Sequence, residues 1–269
     1  MPFLALFLRV TPLQKEIPNA AQTPGGASLY KALLHALAPN DEALDELFHQ
    51  NGASTHITVY PLKSDEGEQR IRVTVSGQHA LTATHTLLSA LAGQAVLHCG
   101  HQSYRVLSAD LARPPLASVS TWADLLAPSP SSRPALRLRF VTPTIFTGTA
   151  EGSAQGEVFP QPLQVFSGLL DRWSQLGGPA LPCGVLSWLQ SYECIVSDYQ
   201  LRAEPIALSG RAESATVYPG WKGWIAYTCR APQVACMSTL QALARLACFT
   251  GVGDSTEVGL GVTQSVESE

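Results

Sequence analysis

Gly251-Val252-Gly253-Asp254-Ser255-Thr256-Glu257-Val258-Gly259-Leu260-Gly261-Val262 sets four glycines in a G-x-G-x5-G-x-G pattern. The run follows a helix-forming segment at 236–249 and leads into a strand expected over 258–266. It is not a dinucleotide-binding fingerprint, because Thr256 stands where G-x-G-x-x-G needs its third glycine. No G-K-[ST] follows either. The order is helix, loop, strand, so no helix N-terminus waits to hold a pyrophosphate. A nucleotide loop is therefore excluded. What remains is a turn whose glycines supply positive φ and close backbone approach. Its alternatives are a helix cap with a turn, or a nest of N–H groups that holds an anion.

Working upstream, the alternation of residue types predicts two long β-rich runs near 192–210 and 215–230, a helix at about 162–176 and a strand at 135–141. Pro128-Ser129-Pro130-Ser131-Ser132-Arg133-Pro134 reads as a linker. Before it, Met1 to Val10 reads as a buried first strand, and Gly26 to Leu37 is rich in helix formers and stopped by Pro39. Asn40 is an N-cap for a second short helix, with Asp41 and Glu42 in its first turn. That helix runs to about His49 and is broken by Asn51-Gly52. Strands follow at Thr55 to Tyr60 and Arg70 to Val75, then a helix at 79–92 and strands near 94–98 and 102–109. The order β-α-(α)-β-β-α-β is the ferredoxin-like pattern, and it restarts after the linker. The expected fold class is α+β: two tandem ferredoxin-like (RRM-like) domains, 1–115 and 116–269, with a C-terminal glycine-rich loop.

The chain has 269 residues, 45% of them hydrophobic, enough for two cores and too many for a disordered chain. Seventeen basic residues against 21 acidic give a net charge of -4, which excludes an indiscriminately basic nucleic-acid binder. The position of the charges matters more. Asp254, Glu257, Glu267 and Glu269 carry a charge of -4 at the C-terminal end, so the rest of the chain is balanced. The cations are 13 Arg and 4 Lys, and Arg is the better planar partner for phosphate and for stacking. Strand periodicity puts Arg70, Arg72 and Thr74 on one face, expected to be solvated, and Arg137 and Arg139 repeat the arrangement. Arg202, Arg211, Lys222 and Arg230 add to a locally positive surface. No run reaches the 18 apolar residues of a membrane span, and the N-terminal residues lack the basic start of a signal peptide. Six cysteines without a C-x-x-C pair read as reduced core thiols of a cytoplasmic protein, with no zinc site.

Leu243 to Gly253, with the glycine loop, resembles the C-terminal signature of the CRISPR repeat-processing endoribonucleases, which belong to the RNA-binding RAMP superfamily. Phe140-Val141-Thr142-Pro143-Thr144-Ile145-Phe146, followed by Val158-Phe159-Pro160-Gln161-Pro162 and Phe166-Ser167-Gly168-Leu169, is similar to that family's strand, proline loop and helix. Gly220-Trp221-Lys222-Gly223-Trp224-Ile225-Ala226-Tyr227 is similar to the strand before its last helix. The matches span about half the chain in the family's order. Asp254 and Glu257 depart from a loop that is often basic or neutral in relatives. The resemblance therefore implies structural support by Gly251, Gly253, Gly259 and Gly261 rather than phosphate binding.

The resemblance also implies metal-independent cleavage of CRISPR precursor RNA within its repeats, leaving 2′,3′-cyclic phosphate and 5′-OH ends. It needs no cofactor and no metal. Imidazole suits the acid and base roles because its pKa of about 6.5 lies near working pH. His49 stands where the family places its catalytic histidine, although no lysine follows it between Asn51 and His56. His35 lies near where some relatives carry a tyrosine or a second histidine, with Tyr30 and Lys31 beside it on the same helix. His56 is a weaker candidate, and His79, His85, His98 and His101 read as surface or structural. The expected partner is CRISPR repeat RNA, as a stem-loop or single strand, with other effector subunits as a further class. Neither DNA nor membrane is expected. The competing readings are a non-catalytic RAMP-type scaffold that holds guide RNA, and an unrelated tandem ferredoxin-like ligand-binding protein.

Overall fold

In the computed structural model the described residues are 3–13, 26–37, 55–62, 69–77, 79–91, 95–100, 102–111, 119–128, 135–146, 159–208, 216–230 and 233–266. The expected helix from Asn40 to His49 lies outside them. The chain divides into two compact units. One holds residues 1–122 with 175–178 and 257–259, and the other holds 123–174, 179–256 and 260–269.

In the first unit β1 (Phe3–Pro12), α1 (Gly26–Leu37), β2 (His56–Leu62), β3 (Gln69–Ser76), α2 (Ala80–Leu91), β4 (Val96–Cys99) and β5 (Gln102–Leu111) follow in order. The sheet order is β2-β3-β1-β5-β4, with the short β6 (Val119–Ser120) paired to β1. Antiparallel β3 thus lies between β1 and β2, the split β-α-β arrangement of the ferredoxin-like fold. Leu4, Leu6, Leu8 and Val10 of β1, opposite Ile71, Val73 and Val75 of β3, bury one face against Leu29 and Leu33 of α1 and Ala83 and Leu87 of α2. Each such aliphatic side chain contributes about 1.5–3 kcal/mol by leaving water.

The opposite face is also covered. Ala5, Thr74 and Thr58 are buried, Thr58 and Thr74 joining their hydroxyls at 2.5 Å, and Trp122 packs edge-on against Phe3. Arg72, directly opposite Phe7 and Tyr60, is only 2% exposed. The expectation of a solvated Arg70-Arg72-Thr74 face therefore fails at Arg72 and Thr74. Period-two alternation gives sidedness, but it does not say whether the polar side of a central strand meets water.

The second unit repeats the plan with β7 (Ala135–Thr144), α4 (Pro162–Gln175), β8 (Cys194–Leu208), β9 (Thr216–Cys229), α6 (Val234–Thr250) and β10 (Thr263–Val266), in sheet order β10-β7-β9-β8. Two short helices were not anticipated, α3 (Trp122–Leu126) and α5 (Val185–Gln190). Leu136, Leu138 and Phe140 of β7 share the buried face with Ile225 and Tyr227 of β9, packed on Val165, Phe166 and Leu169 of α4. The tandem α+β ferredoxin-like reading holds. The cysteine reading needs correction: Cys183 and Cys236 are disulfide-bonded, with Cα atoms 5.1 Å apart, tying the lead into α5 to the start of α6.

The glycine loop replaces the first part of the terminal strand expected over 258–266. A 3-10 turn covers Thr256–Val258, and β10 starts at Thr263. Gly251, Gly253, Gly259 and Gly261 all have φ between 63° and 87°, the left-handed region where a Cβ is disfavoured. At Gly261 a Cβ would also lie 1.8 Å from the Val252 carbonyl oxygen, and at Gly253 it would lie 2.3 Å from that of Ile145.

The N–H groups of Gly251, Val252, Asp254 and Gly261 donate to the carbonyls of Ala247, Gly261, Ile145 and Pro143. Those four donors are satisfied within the protein, so they do not form an anion nest. The carbonyls are held as well. Arg172 donates from Nη1 to Thr250 O at 3.1 Å and to Gly251 O at 2.7 Å, and from Nη2 to Gly253 O. Hydrogen bonds from charged groups contribute about 1.5–3 kcal/mol each when well shielded, and this guanidinium is half-buried. Arg172→Met should therefore destabilise the protein by about 2 kcal/mol, read as a lower melting temperature. An unchanged melting temperature would mean that the loop holds itself.

Candidate functional site

Side chains opposite each other on antiparallel strands share a face, so the register decides what the second sheet presents on the side away from its helices. Arg139 of β7 stands opposite Gln264 of β10 on one side and Trp224 of β9 on the other, and Trp224 is opposite Gln200 of β8. One row thus runs Gln264–Arg139–Trp224–Gln200 across four strands. The neighbouring row pairs Arg202 with Lys222. Arg137 reaches over the Trp224 ring, its guanidinium carbon 4.3 Å from the ring centroid. Trp224 Nε1 donates to Gln200 Oε1 at 3.1 Å.

These groups line an open concavity of about 620 Å3, built by Arg137 and Arg139, by Gln200 to Arg202, and by Lys222 to Trp224. Gly223, one of the lining residues, lets strands β8 and β9 approach closely there. That residue has φ 135°, and a Cβ there would lie 2.0 Å from the Gln200 carbonyl oxygen. Glycine inside a strand is the usual mark of such a close approach. Glu204 partly offsets the charge by pairing with Arg202 at 3.2 Å, both side chains being substantially exposed. The concavity remains cationic, which suits a polyanion.

The structure thus brings together four of the anticipated cations, Arg137, Arg139, Arg202 and Lys222. Arg70 is exposed near the start of β3, on the other unit. Arg72 is buried and offers no surface to a ligand. Arg230 is exposed just past the end of β9, eight residues from Lys222 or about 26 Å of extended strand. Arg211 lies outside the described residues. Trp224 and Gln200 were not recognised as candidate site residues. The period-two spacing of Lys222 and Trp224, and of Gln200 and Arg202, was the available signal, but it becomes a site only once the register is known.

On α1, Lys31 and His35 are both exposed and one turn apart. Tyr30 is half-buried against the first core. Burial, and secondarily the negative charge of Glu257, raise its pKa above the ordinary phenol value. It therefore stays protonated at neutral pH and can donate a hydrogen bond but not accept a proton as a base. Residues 257–259, the far end of the glycine loop, abut this helix. A Cβ at Gly26 would meet the Val258 carbonyl oxygen at 1.7 Å, and a Cβ at Gly259 would meet that of Val59 in β2 at 2.5 Å. Residues 257–259, counted in the first unit, thus pack closely at the start of the helix that carries Tyr30, Lys31 and His35. His56, at the start of β2, is half-buried, and His49 lies outside the described residues. Among the described residues no three His, Cys, Asp or Glu side chains gather to hold a metal, and no helix is long and apolar enough to cross a membrane.

In the second unit the three sequence motifs are joined by hydrogen bonds. Val141 N donates to Val262 O, Val262 N donates to Thr142 Oγ1 at 2.8 Å, and Gly261 N donates to Pro143 O. Tyr227 Oη donates to Pro160 O at 2.9 Å.

The profile of the CRISPR-associated endoribonuclease Cas6 family matches residues 138–263, the stretch that contains all of these contacts. Over the whole chain, the product complex of Cas6 (TTHA0078) superposes with a TM-score of 0.76 at 25% identity, covering 99% of this chain and 100% of that one. By sequence the likeness to the Cas6 family covers residues 138–263, and by fold it covers the whole chain. A histidine-to-alanine mutant of the same relative superposes with a TM-score of 0.73 at 25% identity, covering 99% and 100%. The product complex of Cas6 (TTHB231), a Thermus thermophilus protein, shares the fold at a TM-score of 0.77 and 24% identity, again covering 99% and 100%. Curated proteins give no match. The Cas6 signature thus falls on parts that shape and brace the protein, the glycine loop and the Thr142-Pro143-Thr144 strand end, and on the strand that carries Lys222 and Trp224.

Proposed function

We propose that this chain cuts CRISPR precursor RNA within its repeats without a metal ion, binding the RNA in part through the cationic face of the second sheet. The match of residues 138–263 to the Cas6 endoribonuclease family, and the likeness of the whole fold to Cas6 structures, support the reaction class. The observation that carries the reading on this chain is the convergence of Arg137, Arg139, Arg202 and Lys222 on one open face of a protein whose net charge is -4.

The chemistry follows from RNA itself. The 2′-oxygen attacks the adjacent phosphorus while the bond from phosphorus to the 5′-oxygen breaks. The 2′ proton passes to a base, and an acid gives a proton to the departing 5′-oxygen. The products are a 2′,3′-cyclic phosphate and a 5′-hydroxyl. Histidine serves either role near neutral pH. His49 and His35 are the residues assigned to these roles, with Lys31 beside His35 to stabilise negative charge developing on the phosphate. Tyr30, held protonated, is limited to donating a hydrogen bond. Among the structural neighbours is a histidine-to-alanine mutant of a Cas6, in keeping with a histidine of consequence in that relative.

Two experiments test the proposal. The purified chain, incubated in EDTA with the repeat RNA of its own locus, should cleave it at one position. His49→Ala and His35→Ala should each slow single-turnover cleavage by roughly 100- to 10,000-fold, with RNA binding retained. Binding without cleavage by the wild type would favour the scaffold reading, and loss of activity in EDTA would refute metal independence. For binding, each phosphate neutralised on a single strand contributes roughly 0.7 to the slope of log K against log salt. Arg139→Ala with Lys222→Ala should therefore reduce that slope by roughly 1.4. An unchanged slope would place the RNA elsewhere.

A further inference from the structure

The four cations of the concavity account for phosphate binding, but they do not account for the group at its centre. Trp224 is an indole on a central strand, on the side of the sheet away from its helices, and only half-buried. It sits between two other planar groups in its row, Arg139 and Gln200, and beneath a third, Arg137. A half-exposed aromatic ring in a cationic groove gains little as core, since the core of this unit is closed on the opposite face by Phe140, Ile225 and Tyr227. Its surroundings match what an unpaired nucleobase requires: a flat surface, a guanidinium plane to extend the stack, and a hydrogen-bond donor at the edge.

We propose that Trp224 and Arg137 form a stacking site for one unpaired nucleobase of the bound RNA, with Gln200 addressing the base edge. The proposal rests on the RNA-binding reading above and deepens it from phosphate contact to base contact. Each part has a defined job. Gln200 Oε1 is occupied by the Trp224 indole N–H, which orients the carboxamide and turns its NH2 outward as a donor to an acceptor on the base. Gly223 lets its strand approach the Gln200 carbonyl more closely than any side chain would allow, which holds β8 and β9 together beside the ring. Arg139, Lys222 and Arg202 stand around the platform where the phosphates flanking a splayed nucleotide would run, although Glu204 shares Arg202. The volume of about 620 Å3 has room for a single nucleobase with its flanking backbone.

The test uses the full chain and its own repeat RNA, with affinity read by fluorescence anisotropy and folding checked by circular dichroism and melting temperature. Trp224→Ala should weaken binding roughly 10- to 100-fold and leave the salt slope as in the wild type, because no phosphate contact is lost. Trp224→Phe, which keeps a ring, should recover most of that loss. Arg137→Lys, which keeps the charge without the plane, should weaken binding several-fold at the same slope.

Scanning the RNA with single abasic substitutions should find one position at which wild type and Trp224→Ala bind equally, since the contact is then already missing. Equal binding of Trp224→Ala and wild type to the intact repeat would overturn the platform. So would a constant difference across every abasic RNA. If the wild type cleaves and binds its repeat while either result is found, only this inference fails. If the wild type does not bind the repeat, the functional reading fails with it.

Discussion

Between Thr250 and Gly261 the chain reverses on itself so tightly that four residues must be free of a side chain. Gly261 lies with its Cα against the carbonyl of Val252, and Gly253 against that of Ile145. The turn is kept by hydrogen bonds of both polarities. Its N–H groups are donated to Ala247, Pro143, Ile145 and Gly261, and its carbonyls at 250, 251 and 253 are gathered by Arg172. Three consequences depend on this knot. It ends the long buried helix α6, starts β10 in register with β7, and seats the end of β7 at Pro143. Proline at position 143 fits because β7 shifts register against β9 between Phe140 and Thr144, so no ladder donor is lost there.

The two sheets share a topology and differ in what covers them. On the first, both sides of the central strands are buried, and Arg72 is enclosed with Thr58 and Thr74. On the second, the side away from the helices stays open, and its charged and aromatic side chains make a groove. One fold thus provides a closed support and an open surface. The candidate acid–base helix α1 belongs to the unit with the closed sheet, and the cationic groove to the unit with the open one. In the proposed function, positioning of the reacting groups and capture of the RNA are accordingly assigned to separate units.

Much of this was legible in the residues. Alternation placed β7, β8 and β9 closely, and the glycine run identified the turn between the last helix and strand. The four-cation cluster was foreshadowed by Arg137 and Arg139 at strand spacing and by the local excess of basic residues that includes Arg202 and Lys222. Arg72 failed for a physical reason: local periodicity reports which side a residue faces, whereas burial depends on what packs there from distant sequence. Trp224 and Gln200 escaped notice for a related reason. They lie 24 residues apart and meet only because the hairpin register sets them side by side. The Cys183–Cys236 link, across 53 residues, was likewise invisible to spacing rules. Cleavage chemistry itself is carried by family resemblance, since His49 and the segment around it fall outside the described residues.

The most direct measurement is the identity of the new RNA ends. Mass analysis of the fragments released from a single repeat in EDTA should find an upstream piece lighter by one water than a 3′-phosphate, the mark of a 2′,3′-cyclic phosphate. The downstream piece should begin with a 5′-hydroxyl. Fragments ending in 3′-hydroxyl and 5′-phosphate would contradict the account, because attack by the ribose 2′-oxygen cannot produce them.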